Sequence, residues 1–104
     1  MNKDAAKVLR AARKLIEQPE AWTKEYIAQD AHDNWISPLD KRAVCWCALG
    51  ALERASHRLG ISGDLACGLL GRAIRGSIAD YNDTHTHKQV IGRFDRAIAL
   101  AEGG

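Results

Sequence analysis

The chain has no stretch approaching the length of a membrane span, and it has no internal repeat and no low-complexity segment. An apolar signal-peptide core is also missing, because Met1-Asn2-Lys3-Asp4 leads straight into a charged amphipathic pattern. Cysteine is sparse and odd in number. Cys45, Cys47 and Cys67 show no disulfide-framework spacing, so a reducing, cytoplasmic compartment is expected. Neither sign of charge dominates. Fifteen Lys and Arg stand against thirteen Asp and Glu, a net charge of +2, which is too little to argue for nucleic acid on its own. No cofactor motif and no complete catalytic set is present.

What remains is the profile of a small globular domain. The 104 residues are 46% hydrophobic and 27% charged, enough to bury a modest core without metals or disulfides. One domain over residues 1–104 is expected. The longest run without charge is Ala43-Val44-Cys45-Trp46-Cys47-Ala48-Leu49-Gly50-Ala51-Leu52. At helical spacing Val44, Cys47, Ala48, Ala51, Leu52 and Ala55 share one face, with Trp46, Gly50, Glu53 and His57 on the other. The run therefore reads as a core helix with one open side.

Four helices are predicted. The first covers Lys3 to Glu17, with Val8, Leu9, Ala12, Leu15 and Ile16 inward, and Pro19 stops it. The second runs from about Asp40 to Arg58, entered at Ser37-Pro38 and ended by Gly60. The third runs from about Gly63 to Asp80, with Ser62 or Asp64 as its cap and a wide apolar face that marks it as the most central. Tyr81-Asn82-Asp83 breaks the pattern. Thr86 and Gln89 then form a capping box for the fourth, His87 to about Glu102, whose stripe is Val90, Ile91, Phe94, Ala97, Ile98 and Ala101. The long connector from Gln18 to Lys41 is the least regular part. Tyr26-Ile27-Ala28 and Trp35-Ile36 flank a polar run whose Asp33-Asn34 suits a turn, which reads as a short hairpin; a helical turn from Trp22 to Tyr26 competes with it. The expected fold is thus an all-α, compact four-helix domain, with Trp22, Tyr26, Trp35 and Trp46 clamping the connector over the core.

Three blocks carry a resemblance: Trp22-Thr23 through Tyr26-Ile27-Ala28-Gln29-Asp30; the run Ala43 to Leu52; and Tyr81-Asn82-Asp83 followed by Phe94-Asp95-Arg96-Ala97-Ile98. In their order and spacing they resemble a small family of bacterial and phage proteins of unknown function. In that family the second block reads as an aromatic, Cys, two residues and Gly-Ala, matched here by Trp46, Cys47, Gly50 and Ala51. Asn34 stands where the family commonly has Gly, and Thr86 follows Asp83 sooner than is usual there. The resemblance supports the domain boundary and implies no activity.

Several groups carry chemistry in principle. Cys45 and Cys47 invite a metal or redox reading, but positions two apart on a helix point about 200° apart, so the thiols would not share one ion; packing as small hydrophobes is the plain alternative. His85 and His87, near Asp83, resemble a loose metal-ligand cluster, with Cys45, Cys47, Cys67 or His57 as further ligands; capping by Asp83 and Thr84 or Thr86, with solvated histidines, is the simpler reading. Cys47 as a nucleophile with His57, His85 or His87 as base and Asn82 or Asp83 as orienter has the right residue types, but its apolar face works against ionisation. Asn82-Asp83 reads as a polar binding loop or as a junction that aims the last helix. Arg54, Arg58, Arg72 and Arg75 would form a basic patch if the second and third helices are antiparallel neighbours.

The function expected is that of a non-enzymatic interaction or accessory module whose binding residues are Trp22, Tyr26, Trp35, Trp46, Asn82 and Asp83. Its partner would be another protein or a second copy of the chain, rather than nucleic acid or a membrane, and no cofactor is expected. A cysteine- or metal-dependent enzyme around Cys47, Asn82, Asp83, His85 and His87 is one alternative. A nucleic-acid or phosphate binder through Arg54, Arg58, Arg72 and Arg75 is the other.

Overall fold

In a computed structural model, residues 2–103 are described. Helix α1 spans Lys3–Leu15 and is followed by a 3-10 turn at Pro19–Ala21; β1 is Ala28–Gln29 and β2 is Cys45–Trp46. Then come α2 (Ala48–Leu59), α3 (Asp64–Ile74), α4 (Ile78–Thr84) and α5 (His87–Ala101). The architecture is mostly helical, with five helices among the described residues and one two-stranded antiparallel sheet.

The outer helices form as their local signals dictate. The Asn2 side chain accepts from Ala5 N at 2.9 Å, Asp4 lies in the first turn of α1, and Arg13 and Lys14 lie in the last, an arrangement that suits the helix dipole. At α5 both halves of the Thr86–Gln89 capping box are present, at 3.2 and 2.9 Å. α1 lies against α2 and α5, and α3 lies against α5. Val8, Leu9, Ile16, Leu52, Leu70, Val90 and Phe94 fill the core. Ala5, Ala6, Ala12, Ala48, Ala51 and Ala55 are buried as well, and such small side chains let α1 and α2 approach closely.

Two of the expected helices differ. The second begins at Ala48, not near Asp40. Val44, Cys45 and Trp46 are extended because the connector claims their backbone: Val44 N donates to Gln29 O at 2.9 Å, Cys47 N to Ile27 O at 3.2 Å, and Thr23 N to Trp46 O at 3.1 Å. A β-branched and an aromatic residue suit that extended geometry. The helical period therefore does not hold before Ala48, and Val44 and Trp46 exchange their expected places, whereas Cys47, Ala48, Ala51, Leu52 and Ala55 are buried as expected. Trp46 is 8% exposed and donates its indole N–H to Pro38 O at 3.1 Å, whereas Val44 is 49% exposed.

The third expected helix is broken in two, which raises the count from four to five. Arg75 adopts a left-handed conformation (φ 64°) and caps α3. Ser77 then starts α4 by accepting from Asp80 N at 3.2 Å. Tyr81, Asn82 and Asp83, expected to interrupt a helix, lie within α4.

The connector contains the hairpin-like turn in reduced form. Gln29 bridges Trp35, Ile36 N donates to Ala28 O at 3.2 Å, and Asp33 takes the left-handed turn position at φ 63°. The main strand partner of Ala28–Gln29 is nevertheless Cys45–Trp46. Gln29 therefore sits between two neighbours, Trp35 on one side and Cys45 on the other. The buried Asp30 ties off the turn by accepting from His32 N, Asn34 N and Asn34 Nδ2 at 2.8, 2.9 and 3.0 Å. These bonds hold its carboxyl below the ordinary carboxylate range, the Asn34 side chain contributing most. Of the four aromatics expected to clamp the connector, Trp46 is buried and Trp22 half-buried, whereas Tyr26 and Trp35 face solvent.

Candidate functional site

Of the expected binding residues, Trp22 and Asp83 meet at Asn82, which is 1% exposed on α4, whereas Trp46 bonds Pro38 O and Tyr26 and Trp35 are exposed away from these bonds. Asn82 Oδ1 accepts from Trp22 Nε1 at 2.7 Å and from Ala48 N at 3.0 Å. Its Nδ2 donates to Thr23 O at 3.0 Å and to Asp83 Oδ1 at 3.3 Å. An indole and a backbone N–H can only donate, so the orientation of the amide is fixed by its partners. Both donors and both acceptor positions are used. Asp83 extends the clamp by accepting from Glu25 N at 2.8 Å, which holds Glu25 at φ 70°. One dipeptide thus joins three elements: the connector at residues 22–25, the first turn of α2, where Ala48 N lacks a helical partner, and α4.

Cys47 lies at this junction as the N-cap of α2, and its Sγ accepts from Gly50 N at 3.4 Å. Burial pushes its thiol pKa up, and the nearby Asp83 charge adds to that. Cys45 and Cys67 are also raised, again chiefly by burial. Cys45 lies beside Gln29, 3.8 Å from its Oε1. Cys47 and Asp83 share the wall of a cavity of about 150 Å³ with Tyr26, Ile27 and Leu49, smaller than the roughly 300–1,000 Å³ usual for small-molecule sites.

The histidines are directed elsewhere. His85 Nδ1 donates to Tyr81 O at 3.0 Å, and its ring stacks on Tyr81 with centroids 3.6 Å apart. His87 Nε2 donates to Ile16 O at 2.6 Å, and its ring lies 5.6 Å from that of Trp22. His87 therefore anchors the start of the connector to α5. His57 is exposed near the end of α2. No hydrogen bond joins a histidine to Cys47 among the described residues, and there no three His, Cys, Asp or Glu side chains come together in a group able to hold a metal ion. No helix among them is long and apolar enough to cross a membrane.

The four arginines singled out in sequence do not assemble into one patch. Arg54 donates to Pro38 O and Asp40 O at 3.1 and 3.0 Å and lies over the Trp46 ring, which makes it a strut for the connector. Arg58 lines a separate groove with Ala11, Lys14 and Leu15. Arg72 and Arg75 are brought instead to Arg93 and Arg96 of α5. The three-residue spacing puts Arg93 and Arg96 on one face of α5, whereas Arg75 lies just past the end of α3.

The whole pattern, from the first helix to the last, matches one family of unknown function, DUF6197, over residues 1–100, and the chain belongs to that family. No curated protein and no solved structure matches it.

Proposed function

We propose that this member of a family of unknown function is a non-enzymatic binding module, which docks a protein partner on the connector face around Trp35. The observation that carries the reading is Trp35 itself, 72% exposed on a segment braced on both sides. It bridges Gln29, its neighbour Ile36 bonds to Ala28 O, and the Asp30 turn closes the loop before it. The indole is thus held outward by backbone, not left there by fraying. Exposed Leu39 and Val44 follow Trp35 in the chain. Tryptophan anchored this way is characteristic of interface hot spots.

The groups with catalytic potential support the same reading, since Asn82, Cys47, His85 and His87 are all engaged in holding the fold together. Three free thiols accord with a reducing, cytoplasmic setting.

A photoreactive amino acid placed at position 35, expressed in the native host, tests the reading. A dominant adduct is expected from position 35 and none from position 88 on α5. Trp35→Ala is expected to weaken the captured complex at least tenfold. A self-adduct together with a doubled mass in solution identifies the partner as a second copy. A monomer that yields no adduct from position 35 sinks the proposal.

A further inference from the structure

A cavity of about 730 Å³, which shares no lining residue with the Trp35 face or the Asn82 junction, lies where the C-terminal end of α3 meets α5. Its wall carries Arg72, Arg75, Arg93 and Arg96 around Ile74 and Leu100, and no acidic side chain. Arg93 and Arg96, three apart on α5, thus face one space together with Arg72 of α3 and Arg75 just past its end.

Three other arginines have acidic partners: Arg10 pairs with Glu102, Arg13 with Asp95, and Arg42 with Asp40; Arg54 bonds two connector carbonyls, and Arg58 has no partner among the described residues. Arg72, Arg75 and Arg96 make no side-chain hydrogen bond or ion pair among the described residues, as none of the bonds and bridges found involves them. Arg93 alone is fixed. Its Nε donates to Tyr81 Oη at 3.2 Å, it donates to Ala73 O at 3.4 Å, and its guanidinium lies over the Tyr81 ring. Arg75 occupies a left-handed backbone position that glycine fills at less cost, with Gly76 next to it. Strain of that kind is commonly retained where a side chain is needed.

Cations at the end of α3 also offset its dipole. That accounts for Arg93, which reaches a terminal carbonyl. It does not account for Arg96, in the middle of α5, or for four like charges gathered with no counter-charge among them.

We infer that this cavity binds a small, multiply charged phosphate compound of the di- or triphosphate class. Guanidinium forks match phosphate oxygens in pairs. Four of them suit several negative charges on one ligand better than a single carboxylate. The volume lies in the range of small-molecule sites. A nucleic-acid backbone would call for an extended basic strip, and the rest of this surface mixes both signs within a net charge of only +2. The inference does not depend on the Trp35 face.

An amide NMR titration of the full chain with inorganic pyrophosphate and tripolyphosphate at low salt tests it. Saturating shifts are expected over residues 72–76 and 93–100, with one-to-one stoichiometry, weakening as salt rises and strengthening from orthophosphate to tripolyphosphate. Arg72→Ala/Arg96→Ala is expected to weaken binding at least tenfold, Arg72→Lys/Arg96→Lys less, and Arg58→Ala not at all. Both altered positions are exposed, and unchanged shifts elsewhere in the spectrum report an intact fold. No saturation at millimolar pyrophosphate, equal affinity in the double alanine variant, or shifts centred elsewhere would overturn the inference. A duplex DNA that binds with length-dependent stoichiometry and is not displaced by tripolyphosphate would overturn it in favour of a nucleic-acid site.

Discussion

Gly50 and Ile27 touch through backbone: a Cβ built on Gly50 would lie 2.0 Å from the Ile27 carbonyl oxygen. That oxygen is already engaged, since it accepts from Cys47 N. The first turn of α2 and the connector therefore meet at a separation that only glycine permits. Gly50→Ala is expected to force the two apart and lose the strand pairing at Cys47. Overpacking of this sort costs about 2 kcal/mol or more, so the melting temperature should fall by roughly 10 °C. A thermal melt within a degree or two of the parent would show that the contact yields.

Asn82 predicts a network effect. Asn82→Ala strands the Trp22 indole N–H, Ala48 N and Thr23 O at once. Each buried orphan costs about 1–3 kcal/mol, and a total loss of roughly 3–5 kcal/mol is expected in urea unfolding. Trp22→Phe removes one bond and should cost less. The double variant should lose clearly less than the sum of the two, because Trp22 and Asn82 share a bond. Strict additivity would count against the hub.

This junction also marks how far the sequence was legible. The capping box at Thr86 and Gln89, the stop before Pro19 and the turn at Asp33-Asn34 were all readable, because each depends on residues a few positions apart. The run from Ala43 to Leu52 is helical from Ala48 on, as expected, and its first half was misread for a physical reason. Its apolar spacing satisfies a helix, but backbone partners at Thr23, Ile27 and Gln29 claim Val44 to Cys47 first. Propensity gave no sign of those distant partners. Asn82 looked like a breaker for the same reason: its bonds reach Trp22 and Thr23, sixty and fifty-nine residues away. Arg93 and Arg96 went unnoticed as partners of Arg72 and Arg75, because they lie on the polar side of the cleanest amphipathic helix and only the α3–α5 packing brings the pairs together.

Thiol reactivity separates packing from chemistry. Burial raises all three thiols, and Cys47 is the most enclosed. Native labelling at pH 7.5 is expected to be slow throughout and slowest at Cys47, rising to the unfolded-chain rate in denaturant. Rapid labelling of Cys47 in the native protein would reopen the nucleophile reading.

Acid should destabilise through the connector. The Arg42 guanidinium beside Asp40 holds its carboxyl down to about 2, against an ordinary 3.8. A carboxyl depressed by folding binds fewer protons in the folded state than in the unfolded one. Its stabilisation is therefore complete above about pH 4 and is lost as pH falls towards 2. Asp30 is shifted in the same direction by its bonds to Asn34 and His32. The gap in melting temperature between the parent and Asp40→Asn is thus expected to be widest near pH 6 and to close below pH 4. A gap that does not change with pH would show that the Asp40 charge contributes nothing.

Arg75 sets stability against binding. A side chain with a Cβ in the left-handed region costs roughly 1–2 kcal/mol, partly offset because glycine loses more freedom on folding. Arg75→Gly is therefore expected to raise stability by about 0.5–1 kcal/mol, a gain of a few degrees in melting temperature. Nothing among the described residues bonds the Arg75 side chain in return. The same change removes one of the four guanidiniums of the α3–α5 cavity, so tripolyphosphate binding should weaken while the fold becomes firmer. That combination has no account in which Arg75 serves only the helix end, because a residue acting there alone would lose stability when replaced. If Arg75→Gly is less stable, the side chain does structural work at the end of α3, and the strain argument for the phosphate site falls.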